Sequence, residues 1–176
     1  MRIDELHKIF LSYPIISTDT RKIEQNSIFF ALKGANFDAN KFVPEALRNG
    51  AKYAVADDKG LAELYDDHII IVDNVLQTLQ ALARYHRDTM DIPVLAVTGT
   101  NGKTTTKELI TVALSSGHNV LSTIGNLNNS IGVPLTLLRL KKEHTIAVVE
   151  MGASHPGDIE ELVNIANPTC GVITNV

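Results

Sequence analysis

Residues 94–105, Val94-Leu-Ala-Val-Thr-Gly-Thr-Asn-Gly-Lys-Thr-Thr105, constrain the fold more than any other stretch of this chain. A short apolar run ends in a turn with two glycines, and Lys103-Thr104 open a segment of helical pattern. A strand–turn–helix unit of this kind belongs to a parallel α/β sheet. Its turn amides and positive helix end suit a nucleotide phosphate. The common phosphate-loop pattern is G-x-x-x-x-G-K-[ST]. Val97 stands at the first glycine position, so only Gly102-Lys103-Thr104 matches, and Gly99 is left to supply the tight backbone. In this reading Lys103 reaches the β/γ-phosphates of ATP and the Thr104 hydroxyl binds Mg²⁺. Thr98, Gly99, Thr100, Asn101, Gly102 and Thr105 complete the candidate nucleotide site. The alternative is an ordinary connection that happens to contain Gly-Lys-Thr.

With 176 residues the chain is long enough for one domain or two small ones. Net charge is −4 and no basic patch is visible, which gives no support for a nucleic-acid partner. No apolar run approaches the roughly 20 residues needed to span a bilayer. The N-terminus, Met1-Arg-Ile-Asp-Glu-Leu-His7, lacks the apolar core of a signal peptide, so a cytoplasmic location is expected. Cys170 is the single cysteine, and its neighbours Gly171-Val-Ile-Thr174 predict a buried strand and a packed thiol. The segment Cys170–Val176 reads as a core strand without a following helix or cap. A fragment cut inside a domain is the expectation; a short complete domain with that strand in mid-sheet is the alternative.

Two regions are expected, residues 1–90 and 91–176. In the first, Asp4–Leu11 has helical spacing, and Ser27–Lys33, Tyr53–Ala56 and His68–Val72 predict strands. Pro44 suits the first turn of a helix that Gly50 stops. Asn74 is a candidate cap for a helix to about Met90, with an apolar stripe through Val75, Leu76, Leu79, Leu82 and Ala83. From Val94 the signals alternate: a strand at 94–98, a helix from Lys103 to Ser115, and a short strand at Val120-Leu121. A strand at Thr145–Val149 follows, then a helix started by Pro156 and a last strand. The fold class is therefore α/β, a small mixed unit followed by a parallel-sheet unit whose ligand lies at the strand C-terminal ends.

Glu150 is the second chemical signal. It follows four apolar residues and emerges at the sheet edge that also carries the phosphate turn. A buried carboxylate needs a partner, and Mg²⁺ bound between Glu150, Thr104 and substrate phosphates would provide one. The alternative is a carboxylate satisfied by backbone amides or a lysine. The loop Thr123–Pro134 is dense in asparagine, which suits turns as well as phosphate, sugar or metal-bound water. In the first region Ser17-Thr-Asp-Thr-Arg21 and Lys33-Gly34 flank a strand and could grip a diphosphate. The six histidines form no metal pattern; His86 and His118 are expected to be solvated, and His155 lies near Glu150 in sequence.

Taken together, Thr98-Gly-Thr-Asn-Gly-Lys-Thr-Thr-Thr-Lys-Glu108, Gly125-Asn-Leu-Asn-Asn-Ser-Ile-Gly-Val-Pro-Leu-Thr-Leu-Leu138, Val149-Glu-Met-Gly-Ala153 and Gly171-Val-Ile-Thr-Asn175 resemble the Mur ligases of peptidoglycan synthesis. Ser17-Thr-Asp-Thr-Arg21, Ile28-Phe-Phe-Ala-Leu-Lys-Gly34 and Phe37-Asp38 are similar to that family's nucleotide-sugar domain. The Asn-rich loop with Val133-Pro-Leu-Thr-Leu-Leu138 is the more specific marker. It points to the branch that joins D-alanyl-D-alanine to UDP-N-acetylmuramoyl-tripeptide. The phosphate turn alone would also fit folylpolyglutamate synthetases, and a P-loop kinase or nucleotide hydrolase is a further alternative.

The resemblance implies three domains, of which this chain would hold the first and the opening of the second. It implies an ATP- and Mg²⁺-dependent amide ligase working through an acyl phosphate, monomeric when full length. Lys103, Glu150 and Asn129 would be catalytic, Thr104 and Glu150 would hold the metal, and Ser17, Thr18, Arg21 and Lys33 would bind the UDP end. By itself the chain is expected to bind rather than catalyse. Two positions depart from the family: Thr20 replaces a serine, and Ala39 replaces a glycine, adding a Cβ where the substrate approaches.

Overall fold

The computed structural model describes residues 1–34, 36–61, 63 and 67–176. They form two compact units, Met1–Leu82 and Ala83–Val176.

The first unit starts with helix α1 (Ile3–Ser12), which buries Leu6 and Phe10 one turn apart. The Arg2 amide donates to the Glu5 carboxylate (2.9 Å), closing the helix start. Strands β1 (Ile16–Ser17), β2 (Ile28–Phe30), β5 (Tyr53–Ala56) and β6 (Ile69–Ile71) form a parallel sheet in the order β1-β2-β5-β6. Strand β2 is buried on both faces, as its unbroken apolar run requires. Between β2 and β5 lie a hairpin, β3 (Lys33–Gly34) with β4 (Phe37–Asp38), and helix α2 (Val43–Arg48) with Pro44 in its first turn. The sequence predicts one strand over 27–33. Instead, the Leu32 amide turns back to the Phe30 carbonyl (2.9 Å), which ends β2 and starts the hairpin.

Helix α3 (Val75–Asp88) is capped as expected: Asn74 Oδ1 accepts from the Gln77 amide at 2.9 Å. It spans the boundary between the units. The second unit is a parallel sheet of β7 (Val94–Thr98), β8 (Val120–Ser122), β9 (Ile146–Glu150) and β10 (Cys170–Ile173), in the order β10-β7-β9-β8. Helices α4 (Lys103–Leu114), α5 (Gly132–Leu137) and α6 (Asp158–Ala166) link the strands. The chain moves from β7 to the far edge, returns through β9, and then places β10 on the other side of β7. Strand order therefore reverses at β7, and ligands of open α/β sheets bind at such a reversal.

Several expectations need correction. Cys170 is exposed, not packed, and β10 is an edge strand rather than a core strand. Ile173 is also exposed. His86 is buried, not solvated, with Nε2 3.0 Å from the Leu140 carbonyl oxygen. It extends the Leu79, Leu82, Ala83 stripe by one more helical step, and burial lowers its pKa from the ordinary value. Helix α6 starts at Asp158, after Gly157 at φ 93°, so Pro156 precedes the helix rather than opening it. Helix α5 was not anticipated. Asn129 Oδ1 accepts the amides of Ile131 (3.1 Å) and Gly132 (2.8 Å) before it, and Pro134 lies in its first turn.

Candidate functional site

The turn between β7 and α4 is held from β10. The Thr100 amide donates to the Asn175 carbonyl (3.1 Å) and the Asn101 amide to Asn175 Oδ1 (2.7 Å). Thr174 Oγ1 donates to the carbonyls of Asn101 (2.5 Å) and Thr98 (3.2 Å). This close approach explains Gly99: at φ +133°, a Cβ would lie 2.2 Å from Thr174 Oγ1 and 2.9 Å from Asn175 backbone atoms. Gly102 is glycine for conformation alone, since its φ is +79° and the space beside it is open. Among the described residues no side chain caps α4, so its first-turn amides remain available to an anion. Lys103 curls back over the turn and donates to the carbonyls of Gly99 (2.6 Å) and Thr100 (3.2 Å). Thr104 and Thr105 are exposed beside it.

Glu150 ends β9 directly beside Val97 of β7, which puts it at the same sheet edge as the turn. It is 2% exposed. Its Oε1 accepts from Asn128 Nδ2 at 2.8 Å. Its Oε2 is buried and has no partner among the described residues. An orphaned carboxylate oxygen is costly, and a divalent cation would satisfy it. Among the described residues no group of three His, Cys, Asp or Glu could cage a metal. The orphaned Glu150 Oε2 is itself a donor that fits Mg²⁺, which takes one or two protein oxygens and completes its shell with phosphate and water.

Of the Asn-rich loop, the residue that touches Glu150 is Asn128; Asn129 caps α5. The Asn128 carbonyl also accepts the Gly152 amide (2.7 Å). His155 is exposed and donates its backbone amide to Asp158 (2.8 Å). Sequence reasoning missed the turn's clamp, although the Thr174-Asn175 pair was part of the recognised pattern.

In the first unit Thr18 and Arg21 line an open pocket of about 630 Å³ with Asp19, Phe37, Phe42 and Glu45. Phe37 stacks on Phe42 with ring centres 5.6 Å apart. Arg21 is held in a fork by Asp19 (2.9 and 2.7 Å). That hydrogen bonding keeps the Asp19 carboxyl well below the usual carboxylate range, at about 2. Ser17 is buried beneath, donating to the Asp19 carbonyl (3.1 Å). Lys33 belongs to a separate cluster, paired with Asp57 at 2.8 Å, and Asn40 bridges Asp57 to Asp38. Burial pushes the Asp57 pKa up, but Lys33 and Asn40 outweigh it and the net shift is downward. Ala39 belongs to the buried cluster with Phe29 and Val43 and also lines the pocket.

Comparison with known proteins identifies the family. Residues 12–87 match the model described as the Mur ligase family, catalytic domain, and residues 97–176 match the Mur ligase middle domain. The chain is 44% identical over 162 residues to the UDP-N-acetylmuramoyl-tripeptide--D-alanyl-D-alanine ligase of Bacillus subtilis, covering 92% of this chain and 35% of that protein. It is 38% identical over 175 residues to the Escherichia coli ligase of the same name, covering 98% and 37%. The chain thus spans about a third of the length of these curated relatives. Among solved structures it resembles MurF from Acinetobacter baumannii, with TM-score 0.83 and 41% identity over 90% of this chain and 34% of that one. It also resembles the MurF ligase from Thermotoga maritima in complex with ADP, with TM-score 0.84 and 38% identity over 94% and 38%. On the two matching models, these identities and the shared fold, the chain belongs to the Mur ligase family.

Proposed function

We propose that this chain is the substrate-binding and nucleotide-binding part of an ATP-dependent ligase that adds D-alanyl-D-alanine to UDP-N-acetylmuramoyl-tripeptide. The observation that carries the reading is the buried, unpartnered Oε2 of Glu150 at the edge where an uncapped helix and Lys103 await an anion. The reaction transfers the γ-phosphoryl group of ATP to the peptide's terminal carboxylate, releasing ADP. The dipeptide amine then attacks the acyl carbon and phosphate leaves.

The difficulty of the first step is repulsion between two anions. Lys103 would exchange its carbonyl partners for the β/γ-phosphates, and the first-turn amides of α4 would bind phosphate oxygens. Thr104 and Glu150 would hold Mg²⁺, whose charge would offset that of the transferred phosphoryl group. Asn128 donates to Glu150 Oε1, so Oε2 is the oxygen that would hold a cation. Asn129 supports this arrangement by anchoring the loop to α5. In the first unit Thr18 and Arg21 would contact the diphosphate, with Ser17 and Lys33 shaping the surrounding backbone. The full-length enzyme would act as a monomer in the cytoplasm. Among the described residues no helix is long and apolar enough to cross a membrane.

The test uses product analysis on the full-length ligase that carries this chain. Phosphate release should require both UDP-N-acetylmuramoyl-tripeptide and D-alanyl-D-alanine, and Lys103→Ala should abolish it. Release from ATP alone would replace the ligase reading with a simple nucleotide hydrolase. The isolated chain should bind ADP and the UDP-sugar peptide without turnover.

A further inference from the structure

Among the described residues of α4, Lys107 alone is buried, at 1% exposure. A lysine is the least expected residue at a helix's single buried position, because its ammonium must be desolvated. Packing therefore does not explain it; its contacts do. Lys107 Nζ donates to the Thr123 carbonyl (2.9 Å) and pairs with the Glu108 carboxylate. Thr123 is itself buried, and its Oγ1 accepts the backbone amide of Glu150 at 2.9 Å. The Thr123 amide donates to the Val148 carbonyl (3.1 Å), so this residue is fixed on three sides. It also begins the loop that carries Asn128, the donor to Glu150 Oε1.

We infer that Lys107 is a positioning residue that couples the phosphate-binding helix to the metal-binding carboxylate. The helix that presents Lys103 to a nucleotide thereby grips, one turn later, the residue that sets the backbone of Glu150. A hydrogen bond to a charged donor holds the Thr123 carbonyl more firmly than a neutral donor would. Movement of α4 on phosphate binding would thus reach Glu150 through a single side chain. This inference rests on the reading that Glu150 holds a divalent cation.

The test separates metal-dependent from metal-independent nucleotide binding in the 176-residue chain. ADP is titrated by calorimetry once with Mn²⁺ and once in EDTA. Outer-shell partners of metal ligands typically contribute 10–100-fold to metal affinity, so Lys107→Met should reduce the gain that Mn²⁺ confers on ADP binding by about tenfold or more. Affinity in EDTA should be unchanged, and Lys107→Arg should restore most of the gain. Thr123→Val, which removes only the hydroxyl link, should reproduce the loss and decides the matter if Lys107→Met fails to fold. A full Mn²⁺ gain in either Lys107→Met or Thr123→Val overturns the inference. So does an equal loss with and without Mn²⁺, which would mark a purely structural lysine. Glu150→Gln is the separate control: if it keeps the gain, the metal reading itself fails.

Discussion

The two units treat their charged candidate residues in opposite ways. In the first, Arg21 is matched by Asp19 and, in a separate cluster, Lys33 by Asp57, so both cations already have carboxylate partners. In the second, Glu150 Oε2 has no partner among the described residues, the start of α4 is uncapped, and Lys103 makes do with carbonyls. On the proposed reading, a ligand would join the first arrangement by exchanging partners and would remove a deficit in the second. A site left in deficit lowers the stability of the empty protein and returns that energy on binding.

Four variants sharpen or break this contrast. Gly99→Ala should have the largest effect. Its Cβ would collide with the Thr174-Asn175 clamp at a backbone angle L-residues rarely adopt. Strain and overpacking together should cost roughly 3 kcal/mol or more, read as a lowered denaturant midpoint with loss of ADP binding. Glu150→Gln should act in the other direction. Removing an unsatisfied buried charge should raise the stability of the empty chain by about 1 kcal/mol while Mg²⁺-dependent ADP binding disappears. An empty variant less stable than the parent would show that Glu150 carries no deficit.

The third variant concerns pH. The folded pKa of His86 is depressed below its ordinary 6.5, so its neutral form is favoured by folding. Its contribution is fully present above pH 6.5 and is lost as pH falls toward the folded value, by at most about 1.4 kcal/mol per pH unit. Denaturant midpoints at pH 7.5 and 5.5 should differ less in His86→Gln than in the parent; an equal difference would remove His86 from the account. The smallest stability effect belongs to Arg21→Ala. Its ion pair with Asp19 is solvent-exposed, so the midpoint should stay put. Binding of UDP-N-acetylmuramoyl-tripeptide should nevertheless weaken. A shifted midpoint with intact binding would mean that Arg21 is structural.

The legible parts of the sequence were those where local pattern and tertiary role coincide. The β7–turn–α4 unit was readable because an apolar run, two glycines and Lys-Thr lie within twelve residues. Glu150 was readable as a charge at the end of an apolar strand. What stayed hidden depended on strand order. Cys170-Gly-Val-Ile173 has the composition of an interior strand, yet its place beside β7 at the sheet edge leaves it exposed. Spacing could not distinguish Asn128 from Asn129, since only the path of the loop decides which side chain meets Glu150. His86 could have been found, because it continues the apolar stripe of α3 in phase; its polarity concealed it.

The clamp from Thr174 and Asn175 has a consequence for how the protein is made. The loop it secures is translated some seventy residues earlier, as the separation of Asn101 and Asn175 by 74 positions records. A nascent polypeptide halted before β10 would carry every loop residue yet lack the brace that shapes them. Nucleotide affinity should therefore arise only once β10 and the two residues after it are in place, and a chain ending at Thr169 that bound ADP normally would contradict this.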